Sequence, residues 1–262
     1  MNSNDKSLNL KDASISDLVQ LAKDYEKELP QLAAPTQFKP PLGAYLDCAL
    51  HDPAATPVMV EKLCADAVHY RYATVFINPY FVPLAKQALA GSGVHVGTIV
   101  AFPLGAFPTT IKVAEAKIYL AAGADEIDMV MNVGMLKAKD YAQVYADIRQ
   151  VVEQVHGSGK RIKVILETVL LDRFEKIMGC LICKSAGADF VKTSTGFSKG
   201  GATVEDVQLM RQVVGPSDVM GVKAAGGIHT LEDAMTMIAA GADRLGTRLA
   251  DQIIEAYRQT GE

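Results

Sequence analysis

Apolar positions along this chain follow two patterns. Residues 14–29, SISDLVQLAKDYEKEL, space them as on one face of a helix, behind a serine that serves as its cap. An irregular, proline-rich stretch, AAPTQFKPP, follows. Residues 1–40 therefore read as a helical extension and linker packed on the outside of what comes next. From about residue 43 short apolar runs alternate with helical segments. The runs predict strands at 44–50, 72–78, 94–102, 126–132, 161–168, 190–194, 219–225 and 244–249. Between them the spacing predicts helices near 57–70, 80–91, 109–122, 139–156, 171–187, 203–213 and 230–240, with a last one near 250–258.

The strands are rich in Val, Ile, Phe and Met without clean alternation, which suits a parallel sheet covered on both faces. Strict alternation of strand and helix calls for parallel crossovers. Eight such units in about 220 residues match a TIM (β/α)8 barrel over residues 41–262. The alternative, an open doubly wound sheet, wants a glycine-rich turn after its first strand, and HDPAATP stands there instead. "AAGAD" recurs at 121–125 and 239–243, with "SAGAD" at 185–189. Each ends a helix with glycine and leads into a strand.

Composition narrows the class. Of 262 residues 49% are hydrophobic, ample for a packed core, and the net charge of -4 leaves no basic footprint for nucleic acid. No apolar run approaches the roughly 20 residues of a membrane span. The start, MNSNDKSLNLKD, has no secretory pattern. Cys48, Cys64, Cys180 and Cys183 read as reduced thiols of a cytoplasmic protein. The Cys180/Cys183 pair sits inside a helical stretch, where packing rather than redox chemistry is expected.

Charge within the strands is the unusual feature. In "FVKTSTG", residues 190–196, a lysine stands in a short apolar strand. Lys163, Lys192 and Lys223 occupy predicted strands five, six and seven, and Asp128 occupies strand four. In a barrel these strands are neighbours, and such barrels carry their sites at the C-terminal mouth. A single interior lysine reads equally well as part of a salt bridge. Three crowded together repel, so one loses its proton more easily. A neutral amine attacks a carbonyl and forms an iminium, through which an adjacent carbon–carbon bond breaks or forms without a metal or cofactor. Asp128 is placed to move protons.

Glycines supply a second feature. Gly226 and Gly227 follow strand seven, Gly246 is expected after strand eight, and Gly196, Gly200 and Gly201 follow strand six. Loops after strands seven and eight are the usual phosphate seat of this fold. Thr230 with Asp233 reads as a helix cap. GSGVHVG (91–97) and GSGKR (157–161) match neither nucleotide fingerprint. His51, His69, His95, His156 and His229 show no metal-ligand spacing.

Several stretches, VKTSTGFSKGGAT (191–203), GVKAAGGIHTLEDA (221–234), GADEIDMVMNVG (123–134), KVILET (163–168) and NPYFVPLAK (78–86), closely resemble the deoxyribose-phosphate aldolase family from about residue 43 to 248. The resemblance implies a metal-independent class I aldolase on a TIM barrel. Its reaction is reversible cleavage of 2-deoxy-D-ribose 5-phosphate to glyceraldehyde 3-phosphate and acetaldehyde. By motif, Lys192 is the Schiff-base lysine, Lys223 lowers its pKa, and Asp128 belongs to the proton relay. The substrate-contacting positions are Asp47, Phe76, Lys163, Thr195, Gly196, Gly226, Gly227, Gly246 and Arg248. The implied partners are a small aldehyde or sugar phosphate and a second copy of the chain, since family members are often dimers.

The chain departs from the family at strand ends. A common D-H-T-L-L reads Asp47-Cys48-Ala49-Leu50-His51, which replaces a threonine by Ala49. Phe76 stands for a cysteine, Phe107 and Pro108 interrupt F-P-x-G-x-N-T, His229 replaces an arginine, and Arg248 and Leu249 replace small residues. The concentration predicts a remodelled pocket for a larger or less polar partner. Two other readings are an iminium catalyst of a different carbon–carbon bond formation, such as conjugate addition, and a silent barrel that binds a phosphorylated ligand.

Overall fold

The structure, a computed structural model, describes Leu10 and residues 12–31 and 38–260. Eight parallel strands close on themselves in chain order, each followed by at least one helix. The strands are β1 (Leu46–Leu50), β2 (Thr74–Ile77), β3 (His95–Val100), β4 (Glu126–Val130), β5 (Arg161–Ile165), β6 (Phe190–Lys192), β7 (Gly221–Ala225) and β8 (Arg244–Thr247). Most of their residues are buried, as strands lined by side chains inside and helices outside must be. The register sets Lys192 beside Lys223, Asp128 beside Lys163, and Asp47 beside Gly246.

The outer ring is α2 (Pro57–Tyr70), α3 (Val82–Ala88), α4 (Thr109–Ala121), α5 (Val133–Lys137), α6 (Tyr141–His156), α7 (Arg173–Ala186), α8 (Val204–Val214), α9 (Leu231–Ala239) and α10 (Ala250–Gln259). Local chemistry sets many of their ends. Asp172 with Glu175 and Thr230 with Asp233 form reciprocal capping boxes, and Thr56 and Thr203 cap α2 and α8. Gly187 closes α7 in the left-handed conformation. No helix among the described residues is long and apolar enough to cross a membrane.

Ahead of the barrel lies α1 (Ile15–Lys27), capped by Ser14 in a box with Asp17. It lies against α7 and fully buries Leu18 and Ala22. Complete burial of a leucine contributes roughly 2 kcal/mol. The Ser185 hydroxyl of α7 donates to the Leu10 carbonyl at 2.6 Å and ties the start of the extension down. Residues 1–9, 11 and 32–37, which include much of the proline-rich connector, lie outside the described residues.

The observed elements correct the sequence reading in three places. Most strands are shorter than expected by two or more residues, because pairing ends where each strand turns into its loop. Helix α5 and short 3-10 turns at 42–45, 79–81 and 168–170 were not anticipated. Gly246 lies within β8, paired with Ala225, rather than in the loop beyond it.

Candidate active site

Strand alternation turns Asp47, Phe76, Asp128, Lys163, Lys192 and Lys223 into the barrel, all of them buried. Asp128 is the hub. Its Oδ2 accepts hydrogen bonds from the Lys192 amine at 2.8 Å and the Lys223 amine at 2.9 Å. Lys223 also sits 2.8 Å from Asp47 Oδ2, and Arg244 donates to Asp47 Oδ1 at 2.7 Å. One layer deeper, Lys163 bonds Glu126 and lies 3.5 Å from both Asp47 and Asp128. Inside the barrel four cationic side chains, Lys163, Lys192, Lys223 and Arg244, thus face three carboxylates, Asp47, Glu126 and Asp128, while the exposed Arg161 stands 3.9 Å from Glu126 at the edge of the cluster. The count balances when one lysine is neutral, and a charge imbalance in a buried cluster is costly.

Lys192 is an amine whose charge its surroundings disfavour. Burial foremost pushes its pKa down to about 8; Asp128 works against the shift and the Lys223 cation adds to it. The expectation that crowding by sister cations is the main cause is therefore corrected. Removal from water comes first, and Lys163 contributes least of the charged neighbours. Lys163 itself is held above the ordinary lysine range: burial opposes its charge, but Glu126, Asp47 and Asp128 outweigh it. Burial likewise opposes ionisation of Asp128 and Asp47, yet their lysine and arginine partners hold both below the usual carboxylate range.

Phe76 contacts the lysines of both layers. Its ring centroid is 3.7 Å from the Lys223 nitrogen and 4.4 Å from that of Lys163, so both ammonium groups lie on the aromatic system. Gly97 of the neighbouring strand makes room, since a Cβ there would stand 2.5 Å from the ring.

Above this floor opens a cavity of about 410 Å³, lined by Lys192, Lys223, Phe76 and the loops after β6, β7 and β8. Thr195, Gly196, Gly226, Gly227, Gly246 and Arg248 line it. Gly246 contributes by position in the strand: a Cβ there would meet Ala225 at 2.9 Å and the Lys223 side chain at 3.3 Å. Asp47 and Lys163 do not line the cavity. They are fully buried in the ion-pair layer. Of the seven residues singled out as departures, Ala49, Phe76, His229, Arg248 and Leu249 line the cavity, and Phe107 and Pro108 do not. Arg248 makes no hydrogen bond or ion pair among the described residues and stands exposed at the rim, before the start of α10.

Several residues of the site escaped the sequence reading. Glu126 and Arg244 stand two positions before Asp128 and Gly246, so the same strand parity points them inward. Glu167 is buried and takes a left-handed backbone (φ 56). It accepts a 2.5 Å hydrogen bond from the Thr195 hydroxyl and anchors the loop after β6. His51, after β1, lines the cavity. Metal-ligand spacing was the wrong filter for it, because its placement depends on the closing of β1 against β8.

Comparison with known proteins gives this arrangement a lineage. A deoxyribose-phosphate aldolase of Thermococcus kodakarensis is 53% identical over 216 residues, covering 82% of this chain and 96% of that one. One of Thermotoga petrophila is 56% identical over 203 residues, covering 78% and 80%. The crystal structure of a putative deoxyribose-phosphate aldolase from Coccidioides immitis superposes with a TM-score of 0.86 at 37% identity, covering 95% of this chain and 99% of that one. A deoxyribose phosphate aldolase from Aeropyrum pernix, described as a unique tetramer, gives 0.76 at 30% identity, covering 95% and 100%. The model of the DeoC/LacD aldolases matches residues 48–249, from within β1 to the residue before α10. With seven of its eight strands, its lysine cluster and its cavity all within that match, the chain belongs to the DeoC/LacD family of aldolases.

Proposed function

We propose that this protein cleaves 2-deoxy-D-ribose 5-phosphate reversibly to glyceraldehyde 3-phosphate and acetaldehyde, with Lys192 as the nucleophile. The observation that carries this is a buried amine with a pKa near 8, bonded to Asp128 on the floor of the cavity. The neutral Lys192 nitrogen attacks the substrate aldehyde carbon; water leaves and an iminium forms. The bond between the second and third carbons then breaks. Its electron pair moves toward the iminium nitrogen to give an enamine, as the third-carbon hydroxyl loses its proton to the Asp128 relay. Glyceraldehyde 3-phosphate departs, the enamine is protonated on carbon, and hydrolysis frees acetaldehyde and the amine. Lys223 keeps the local charge positive and favours neutral Lys192. For the phosphate, the glycine loops after β6 and β7, the unpaired Arg248 and the first N–H groups of α10 offer positive and donor groups.

The test is borohydride reduction in the presence of acetaldehyde, followed by peptide mass analysis. The expected result is a two-carbon adduct on Lys192, lost in Lys192→Ala together with cleavage. No adduct in the unaltered protein overturns the assignment and favours the silent barrel.

A second reading, acceptance of larger aldehydes, is favoured by the five departures that line the cavity. The aromatic contact of Phe102 with Phe197, at 5.2 Å between centroids, adds apolar surface beside it. A panel of aldehydes with and without phosphate tests it: turnover of the sugar phosphate alone rejects a remodelled pocket. A cytoplasmic setting is in keeping with four free, buried thiols.

A further inference from the structure

His51 lies at the end of β1, 7% exposed, and shares the cavity lining with Lys192. Its ring packs against Phe102 at 5.2 Å between centroids. Its Nε2 is buried and has no hydrogen-bond partner among the described residues. Such an atom costs stability unless something satisfies it, and most buried polar groups in folded proteins are satisfied. His51 lines the cavity, so a molecule bound there is the nearest source of a partner. Ala49, two residues earlier on the same face, offers no polar side-chain atom.

The chemistry of the ring limits what that partner is. Burial first, and the Lys192 cation next, push the imidazole down to about 3, so it is neutral at neutral pH. A neutral imidazole whose conjugate acid is that strong takes up protons poorly, which makes it an ineffective general base. It cannot pair with an anion as a cation would. What it does well is hydrogen-bond an uncharged hydroxyl, and a cavity floored by an iminium-forming amine brings hydroxylated carbon chains within reach.

We propose that His51 Nε2 hydrogen-bonds a hydroxyl on the carbon chain of the acceptor aldehyde, and that this contact sets the preference for hydroxylated over plain aldehydes. The proposal rests on Lys192 acting as the Schiff-base lysine and names the acceptor class that site selects. His51 is a specificity-determining residue and takes no part in bond making.

Two acceptors of equal carbon count separate the hydroxyl from size: glyceraldehyde and propanal, each offered with acetaldehyde to the intact protein, His51→Leu and His51→Asn. The readout is the ratio of kcat/KM for glyceraldehyde to that for propanal. His51→Leu lowers this ratio about tenfold, the worth of one buried hydrogen bond, and His51→Asn recovers part of it. Circular dichroism melting confirms that both variants fold; leucine suits the buried position. A ratio within twofold of the unaltered protein in His51→Leu overturns the proposal, even when the Lys192 adduct with acetaldehyde forms normally. Failure of that adduct in the unaltered protein overturns the Schiff-base reading instead, and this proposal with it.

Discussion

Replacing Lys223 with methionine removes a cation beside Lys192 while keeping most of the stem length. Both amines bond one oxygen of Asp128, at 2.8 and 2.9 Å, so their nitrogens are close neighbours. At a separation no greater than those two bonds laid end to end, and an effective dielectric near 20, two unit charges repel by about 3 kcal/mol or more, equivalent to about two pH units. Burial and Asp128 remain in the variant. The sign follows directly: without its positive neighbour the Lys192 ammonium is favoured, and its pKa climbs from about 8. Only the neutral amine attacks, so the acid limb of kcat/KM moves to higher pH by as much as ~2 units. At pH 7 the loss approaches about a hundredfold, and it shrinks as pH rises through the new pKa. The assay is the pH dependence of deoxyribose 5-phosphate cleavage, run beside the rate of borohydride trapping with acetaldehyde. Trapping reports the first step alone and is insensitive to later proton transfers. An acid limb that stays within 0.3 units of its original position, roughly the precision of such profiles, refutes any electrostatic role for Lys223 and leaves burial as the whole cause.

Other outcomes follow from the same geometry. Asp128→Asn removes the group that holds the proton on Lys192, so trapping shifts to lower pH while cleavage falls about a hundredfold or more; near-native cleavage would remove Asp128 from the relay. Gly97→Ala drives a methyl group into the Phe76 ring and costs roughly 1–3 kcal/mol. Adding Phe76→Leu relieves it, and strictly additive effects in a thermal double-mutant cycle contradict the contact. Asp47 and Asp128 are held below the ordinary carboxylate range when folded, so the unfolded chain binds more protons in acid. Their stabilisation is present above about pH 4 and is lost as pH falls through and below that value. Urea midpoints should hold from pH 7 to about pH 5 and decline as pH falls below about 4, and midpoints that stay flat down to about pH 2 contradict the ion-pair network.

Much of the architecture was legible because each βα unit is a local pattern. The run TVFI predicts its own strand, and Thr230 with Asp233 predicts its own cap. Convergence of Lys192, Lys223 and Asp128 followed from strand order alone. What stayed hidden depends on depth and on closure. Whether a lysine such as Lys163 reaches the cavity or fills a lower layer turns on its height in the barrel, and the strands' stagger decides that. The left-handed Glu167 behind Thr195 gave no signal, since nothing local distinguishes it from any other strand-end carboxylate. His51 acquires meaning only when β1 and β8 meet, after the whole chain has gone round.

The seating of α1 on α7 has a consequence for handling the protein. Every residue from Ile177 to Cys183 is buried, so that stretch has no wet side of the kind an outer barrel helix normally keeps. Shortening the chain to the barrel alone would uncover the part of this wall that α1 now covers. Such a truncated molecule should self-associate, even though its lysine cluster, inside the barrel, is untouched.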